Sequence, residues 1–325
     1  MRAVVVTEHG GPEVLTVVER EVPTPGTGEV LVEVTAAGVN FIDIYQRSGV
    51  YPMDLPYVVG SEGAGTVTAV GAEVTEVRVG DRVAWAMVAG AGAAEQVVLP
   101  AARVVPVPAG LDPSLAAAVM LQGMTAHYLA GSTFPARAGQ TALVHAAAGG
   151  VGLLLCQMLS AKGVRVIGTT STPEKARLAR DAGAAEVVLY RDQDVVTEVR
   201  RLTGGAGVHV VYDGVGKDTF DAGLDVLRPR GMMVLFGGSS GQVPPLDPQV
   251  LNAKGSLYLT RPSLAHYVAD RAELTWRAGD VLGAVASGDL DVRVGGTYPL
   301  AALGRAHEDL AAGRTTGKLL VTPRD

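Results

Sequence analysis

Apolar positions fall into two textures along this chain. Short runs punctuated by Gly and Pro dominate the first part and predict strands at residues 3–7, 14–18, 29–36, 64–70, 82–86 and 96–99, with turn chemistry at 10–12, 23–26 and 79–81. This is the pattern of an irregular β domain, without repeats. The texture changes after residue 111, where Asp112 or Ser114 can cap a helix running through 116–120. From Thr141 onward strands and helices alternate: strands at 141–145, 165–169, 186–189, 208–212, 232–236 and 256–259, helices at 150–161, 173–182, 192–202 and 218–227. Continuous apolar strands such as 208–212 suit parallel strands covered on both faces, so the pattern predicts a six-stranded, doubly wound Rossmann sheet. The tail breaks the alternation, with a helix at 263–287, a strand at 291–294, a helix at 301–312 and a strand at 318–322 that is expected to return to the first domain. The expected division is therefore 1–122, a Rossmann segment over 123–262, and 263–325 as the return.

Composition narrows the function classes. A chain of 325 residues, 48% hydrophobic, is long enough for two cores and too apolar for disorder. The single cysteine, Cys156, excludes an intrachain disulfide and any zinc site built on several thiolates, and fits a reducing cytoplasm. With 27 Lys and Arg against 33 Asp and Glu, and no basic run, nucleic acid and anionic membrane are poor partners. No apolar run approaches the ~18–20 residues that span a bilayer, and an acid arrives at Glu8, too early for a signal-peptide core.

The strongest local signal is Leu143-Val-His-Ala-Ala-Ala-Gly-Gly-Val-Gly, an apolar strand running into a Gly-rich turn and then an apolar helix. Gly149 and Gly152, with Ala146, form a variant dinucleotide-binding turn, in which small residues admit a pyrophosphate to the free N–H groups of the helix start. The tip of the second strand, Gly168-Thr-Thr-Ser, has no acid for a ribose 2′-hydroxyl, and Lys175 follows one turn into the next helix. Hydroxyls with a cation fit a 2′-phosphate, which favours NADPH over NADH. Spacing alone leaves Lys175 equally readable as a solvated helix residue. No histidines fall at metal-ligand spacing, and Asn40 and Ser61 occupy segments in which zinc alcohol dehydrogenases carry ligands; the expectation is a metal-independent enzyme whose reactivity resides in the cofactor.

At this point the chain resembles the zinc-independent quinone oxidoreductases of the medium-chain dehydrogenase/reductase superfamily, the zeta-crystallin-like branch, close to the bacterial NADPH:quinone reductases. The resemblance runs through His9-Gly-Gly-Pro-Glu-Val-Leu, Gly38-Val-Asn-Phe-Ile-Asp-Ile-Tyr, the Gly turn, Tyr212-Asp-Gly-Val-Gly, Phe236-Gly-Gly-Ser-Ser-Gly and Lys254-Gly-Ser-Leu-Tyr-Leu-Thr-Arg-Pro. It implies a GroES-like catalytic domain interrupted by the Rossmann domain, a homodimer joined through the Rossmann sheets, and reduction of a quinone or other conjugated carbonyl at the cleft between domains.

The resemblance also implies site residues. Phe41, Ile42, Asp43, Ile44 and Tyr45 would line the nicotinamide, with Asn40 beside them. Tyr128, Gly149, Gly150, Val151 and Gly152 would touch ribose and pyrophosphate. Thr169, Thr170, Ser171, Lys175 and Tyr190 would surround the 2′-phosphate and adenosine. Gly214, Phe236, Gly237, Gly238, Ser239, Thr260, Arg261 and Pro262 would hold the nicotinamide half, and Arg314 would reach in from the tail. Gly214 and Gly238 stand where relatives carry polar side chains. Asn40 is the candidate to polarise a substrate oxygen and Tyr45 or Tyr51 to relay a proton, although both tyrosines also read as plain wall aromatics. Two rival readings follow: an enoyl or alkenal reductase, and an NADPH-binding structural or RNA-binding protein of the crystallin type.

Overall fold

The structure is a computed structural model and describes residues 1–324. In chain order its elements are β1 (Arg2–Val6), β2 (Thr16–Glu19), β3 (Glu29–Val39), α1 (Phe41–Arg47), β4 (Tyr57–Val58), β5 (Glu62–Val70), β6 (Arg82–Ala86), β7 (Gln96–Pro100), β8 (Val105–Pro106) and α2 (Pro113–Tyr128). An alternating series follows: β9 (Thr141–Val144), α3 (Gly150–Ala161), β10 (Arg165–Thr170), α4 (Pro173–Asp181), β11 (Glu186–Leu189), α5 (Val195–Leu202), β12 (Val208–Asp213), α6 (Phe220–Val226), β13 (Leu227–Leu235), α7 (Gln249–Ala253) and β14 (Tyr258–Thr260). The tail contains α8 (Leu264–Tyr267), α9 (Arg271–Ser287), β15 (Val294–Pro299), α10 (Leu303–Ala311) and β16 (Lys318–Thr322). The chain divides into two compact units, one of Met1–Met124 with the residues from Tyr267 onward, the other Thr125–His266.

The first unit is built on a seven-stranded sheet in the order β15-β16-β3-β5-β6-β8, with β7 also on β3, and a three-stranded sheet β2-β1-β4. The last strand, β16, lies antiparallel to β3, with Leu319 opposite Val39 and Val321 opposite Ala37. One core gathers Val30, Val32, Val67, Val83 and Leu99 around the buried Trp85, whose indole N–H donates to the Ala91 carbonyl at 2.6 Å. A buried Trp needs that partner because an unpaired N–H in an apolar interior is costly. The second core joins Val4, Val6, Val39 and Tyr57 to Leu303 and Ala306 of α10.

The second unit is a parallel sheet in the order β11-β10-β9-β12-β13-β14. The strand order reverses direction beside β9, so the C-terminal ends of β9, β10 and β12 surround the crevice where doubly wound sheets bind nucleotides. Its core packs Leu143, Ile167, Val211 and Met233 of the sheet against Val199, Phe220 and Leu224 of the helices.

The tail departs from the sequence expectation in two places. The helix expected over 263–287 is broken at residues 268–270, where Asp270 leaves helical geometry and its carboxylate accepts the Glu273 N–H at 2.8 Å, starting α9 afresh. The strand expected at 291–294 instead runs Val294–Pro299, paired in parallel with β16. Its Gly-Gly and terminal Pro weaken the local strand signal, and the ladder to β16 supplies what propensity does not. At the other expected cap, Asp112 accepts the Ser114 N–H at 2.8 Å.

Candidate functional site

In the second unit, β9 delivers the chain to His145 and a tight turn in which Ala146 adopts a positive φ of 51°. Gly149 caps α3 in extended geometry. A Cβ at Gly152 would collide with the Ala146 carbonyl oxygen and stand 2.8 Å from the Ala147 Cα, so only glycine lets the first turn of α3 pack against the strand exit. Gly150 and Val151 form the first turn of that helix, whose N–H groups have no intrahelical acceptors.

The tip of β10 is neutral. Thr169 is buried with its hydroxyl 3.0 Å from Nδ1 of the equally buried His145, so that hydroxyl serves the fold. Thr170 is also buried; Ser171 is half-buried. Thr172 caps α4 by accepting the Lys175 N–H at 3.3 Å. The Tyr190 N–H donates to the Thr170 carbonyl at 3.1 Å, which sets Tyr190, half exposed, beside this tip. Burial first, then the neighbouring Arg191 guanidinium, holds the Lys175 ammonium below its usual pKa. Arg191 is thus a second cation at the expected 2′-phosphate position. Sequence reading missed it, although its place directly after Tyr190 was a usable signal.

At the end of β12, Asp213 is fully buried and its carboxylate accepts from the Val215 N–H at 2.7 Å, the Gly216 N–H at 3.1 Å and the Thr219 hydroxyl at 2.9 and 2.8 Å. Its carbonyl accepts from Phe236 and Gly237, while Ser239 N–H reaches the Gly214 carbonyl at 3.2 Å. Two loops are thereby laced together at close range. A Cβ at Gly214 would stand 2.9 Å from the Phe236 ring and one at Gly237 2.5 Å from the Gly214 carbonyl. The Phe236 ring fills the space a side chain at 214 would enter. Gly238 and Ser239 continue this second loop, Thr260 closes β14 with Arg261 and Pro262 after it, and Tyr128 is buried at the end of α2.

In the first unit, Asn40 is the N-cap of α1, and Asp43 accepts the Asn40 N–H at 2.8 Å. Phe41, Tyr45 and Tyr51 form an aromatic row, with ring centroids 6.1 Å and 5.2 Å apart; Ile42 and Ile44 are half-buried on the same helix. The Asn40 amide, expected to polarise a substrate oxygen, is committed within the fold. Its Nδ2 donates to Glu62 Oε2 at 2.8 Å and its Oδ1 accepts from Lys318 Nζ at 2.8 Å. Lys318 also pairs with Glu62 itself, and the Leu121 N–H donates to the other Glu62 oxygen at 2.5 Å. Both charged side chains are essentially inaccessible. Arg314, expected to reach toward the cofactor, is bound to Asp309 at 2.7 Å, and Asp309 also accepts from the Tyr298 hydroxyl at 2.9 Å. Neither Glu62 nor Lys318 was singled out from sequence; a lone acid in a strand of small residues and a lone lysine opening an apolar strand were the available signs.

Comparison with known proteins places this geometry. Residues 26–109 match the family model described as alcohol dehydrogenase GroES-like domain, and residues 150–269 the one described as zinc-binding dehydrogenase. The chain is 48% identical over 316 residues to a quinone oxidoreductase of Pseudomonas aeruginosa, covering 97% of each. Its backbone matches the crystal structure of Escherichia coli quinone oxidoreductase complexed with NADPH at a TM-score of 0.97, with 44% identity, over 99% of this chain and 100% of that one. It is also 40% identical to a 2-haloacrylate reductase of a Burkholderia species, over 99% of each. The chain belongs to the quinone oxidoreductase family of the medium-chain dehydrogenase/reductase superfamily.

Members of this superfamily that carry zinc do so with thiolate and imidazole ligands. The positions met here hold Asn40, already bonded to Glu62 and Lys318, and Ser61, a buried hydroxyl; of the nearby acids, Glu62 is neutralised by an ammonium and Asp43 accepts the Asn40 N–H. This donor set does not fit a zinc ion, and among the described residues no three of His, Cys, Asp and Glu gather as ligands.

Removing one member of a buried ion pair leaves the other charge desolvated and unpaired, at a cost of about 3–5 kcal/mol. Glu62→Gln is expected to lose stability on that scale in urea unfolding, and adding Lys318→Met to recover part of it. A change below about 1 kcal/mol in the single variant would show that the pair does not hold the domain.

Proposed function

We propose that this chain catalyses NADPH-dependent reduction of quinones without a metal. The reading is carried by full-length similarity to quinone oxidoreductases, one of them crystallised with NADPH. The sites described above are in keeping with it. The Gly149–Gly152 turn and the N–H groups opening α3 would receive the pyrophosphate. Lys175 and Arg191, whose mutual repulsion an anion would relieve, would hold the 2′-phosphate, with Ser171 and Tyr190 beside them. The loop pair tied by Asp213, which presents Gly214, Phe236, Gly237, Gly238 and Ser239, would support the nicotinamide half, with Thr260, Arg261 and Pro262 following β14.

When bound, NADPH would supply the reducing electrons. The chain's own part is positioning and exclusion of water. The Phe41, Tyr45 and Tyr51 row offers flat apolar faces suited to a quinone ring, and the two tyrosine hydroxyls are the groups there able to pass a proton to a reduced oxygen. Asn40 acts indirectly in this scheme: held by Glu62 and Lys318, it fixes the start of the helix that carries the row. The likeness to a 2-haloacrylate reductase favours one second reading, reduction of an activated carbon–carbon double bond next to a carboxyl or carbonyl group, on the same scaffold.

We further propose that the chain forms a homodimer through β14. This strand is the edge of its sheet and exposes Tyr258 and Leu259, at 57% and 36%; an open apolar edge favours pairing with another strand. A cytoplasmic location fits the buried thiol of Cys156, whose pKa burial pushes up to about 12. Among the described residues no helix is long and apolar enough to cross a membrane.

NADPH oxidation measured against a panel of quinones, enones, acrylates and enoyl thioesters is expected to be fastest with quinones; fast acrylate or enone turnover without quinone activity would select the second reading. Charge-assisted contacts to phosphate are worth about 1.5–3 kcal/mol, so Lys175→Ala is expected to raise KM for NADPH at least ~10-fold and leave that for NADH within about twofold. An equal rise for both would remove Lys175 from the 2′-phosphate. Leu259→Asp is expected to convert a dimer into a monomer in sedimentation equilibrium, and an unchanged mass would exclude β14 as the interface.

A further inference from the structure

The face that α1 buries is polar throughout. Its fully buried residues are Asp43, Gln46 and Arg47, while its apolar residues are only partly buried. Around two of them lies an unusual concentration of unmet hydrogen-bonding capacity. Asp43 Oδ1, Arg47 Nε and Nη1, the Tyr57 hydroxyl and both ring nitrogens of His307 are all buried and have no protein partner. Buried polar atoms are paired in the great majority of cases, and six orphans on four side chains call for a common explanation.

The four side chains stand on neighbouring elements. Helix α1 packs against α10, which carries His307, and Tyr57 on β4 shares an apolar cluster with Leu303 and Ala306 of α10. Tyr57 lies in the field of both Asp43 and Arg47, and His307 in that of Arg47. The remaining charged groups near them are Lys318 and Glu62 toward Asp43, and the exposed Glu13 and Glu308 toward Arg47. Among the described residues no ion pair closes the gap: neither Asp43 nor Arg47 is bridged to an opposite charge.

We propose that Asp43, Arg47, Tyr57 and His307 line a shared internal water site, and that this water joins α1 to β4 and α10. A buried water makes about three hydrogen bonds, so six unpaired atoms require about two molecules. The chemistry balances. Arg47 offers two donors, Asp43 Oδ1 a third in the protonated acid, because Oδ2 already accepts the Asn40 N–H, the tyrosine hydroxyl either, and His307 one of each in its neutral form; two waters accept from these donors and donate to the remaining ring nitrogen and the tyrosine oxygen. Burial holds Asp43 toward its protonated form, with a pKa of about 7, and His307 toward its neutral form, with a pKa of about 3; both are states that bond to water without a second charge.

Two measurements on the full-length protein test this, and neither uses NADPH or a quinone, so the result stands apart from the proposed function. In a high-resolution crystal structure, ordered water is expected within hydrogen-bond distance of at least two of the four side chains. Side chains bonded directly to one another, or an empty gap between them, would overturn the site. In a double-mutant cycle of Tyr57→Phe and His307→Leu by urea unfolding, residues that share water are expected to be coupled about threefold or more in the folded-to-unfolded ratio. Additive losses would show that they do not share it. If His307→Leu fails to fold, His307→Gln replaces it in the same cycle, with the same two outcomes.

Discussion

One buried charge arrangement organises the first unit. Lys318, Glu62 and Asn40 are drawn from three separate stretches of chain, and none of the three could be buried by itself. An isolated ammonium or carboxylate in this interior would cost several kcal/mol, so each is held in place by the others. The arrangement therefore fixes geometry more than it adds stability. It holds the side chain of Asn40, the N-cap residue of α1, seats β16 against β3 and ties β5 to the middle of α2 through the Leu121 N–H. The aromatic row and the polar inner face of α1 both depend on where that cap stands.

The second unit is organised by closeness. Gly152 lets α3 press against the exit of β9, and Gly214 and Gly237 let two loops interlock over the Asp213 carboxylate. Where backbone meets backbone at such distances, side chains are excluded, and the exposed N–H groups are left for a ligand. At Gly214 the Phe236 ring occupies the adjoining space, so the loop is filled without a side chain there.

Much of the second unit was legible in the sequence because its central strands β9 and β12 read as apolar runs, while α3 opens on a Gly turn and α4 and α5 on the side-chain caps Thr172 and Asp194. The bounds of α3, β11 and β16 agree with expectation to the residue. The break at 268–270 escaped because Asp270 is an unremarkable acid until its carboxylate is seen capping α9. The first unit hid its chemistry for a different reason: Glu62 and Lys318 lie 256 positions apart, and only the strand register brings them together. Asn40 was noticed, but its partners were not, and a side chain whose both ends are committed has another role than one facing substrate. Arg191 went unnoticed although it follows Tyr190 directly, because only the fold sets it beside Lys175.

The pairing of the last strand with β3 also bears on how the protein comes into being. Synthesis proceeds from the N-terminus, so Glu62 and Asn40 leave the ribosome long before Lys318 exists to neutralise one and orient the other. The second unit is contiguous in sequence and completes its sheet with β14, whereas the first must keep an unmatched carboxylate and a sheet without β16 until the segment after the second unit has emerged. The N-terminal unit is thus the last to close, and the inserted one has the opportunity to fold first.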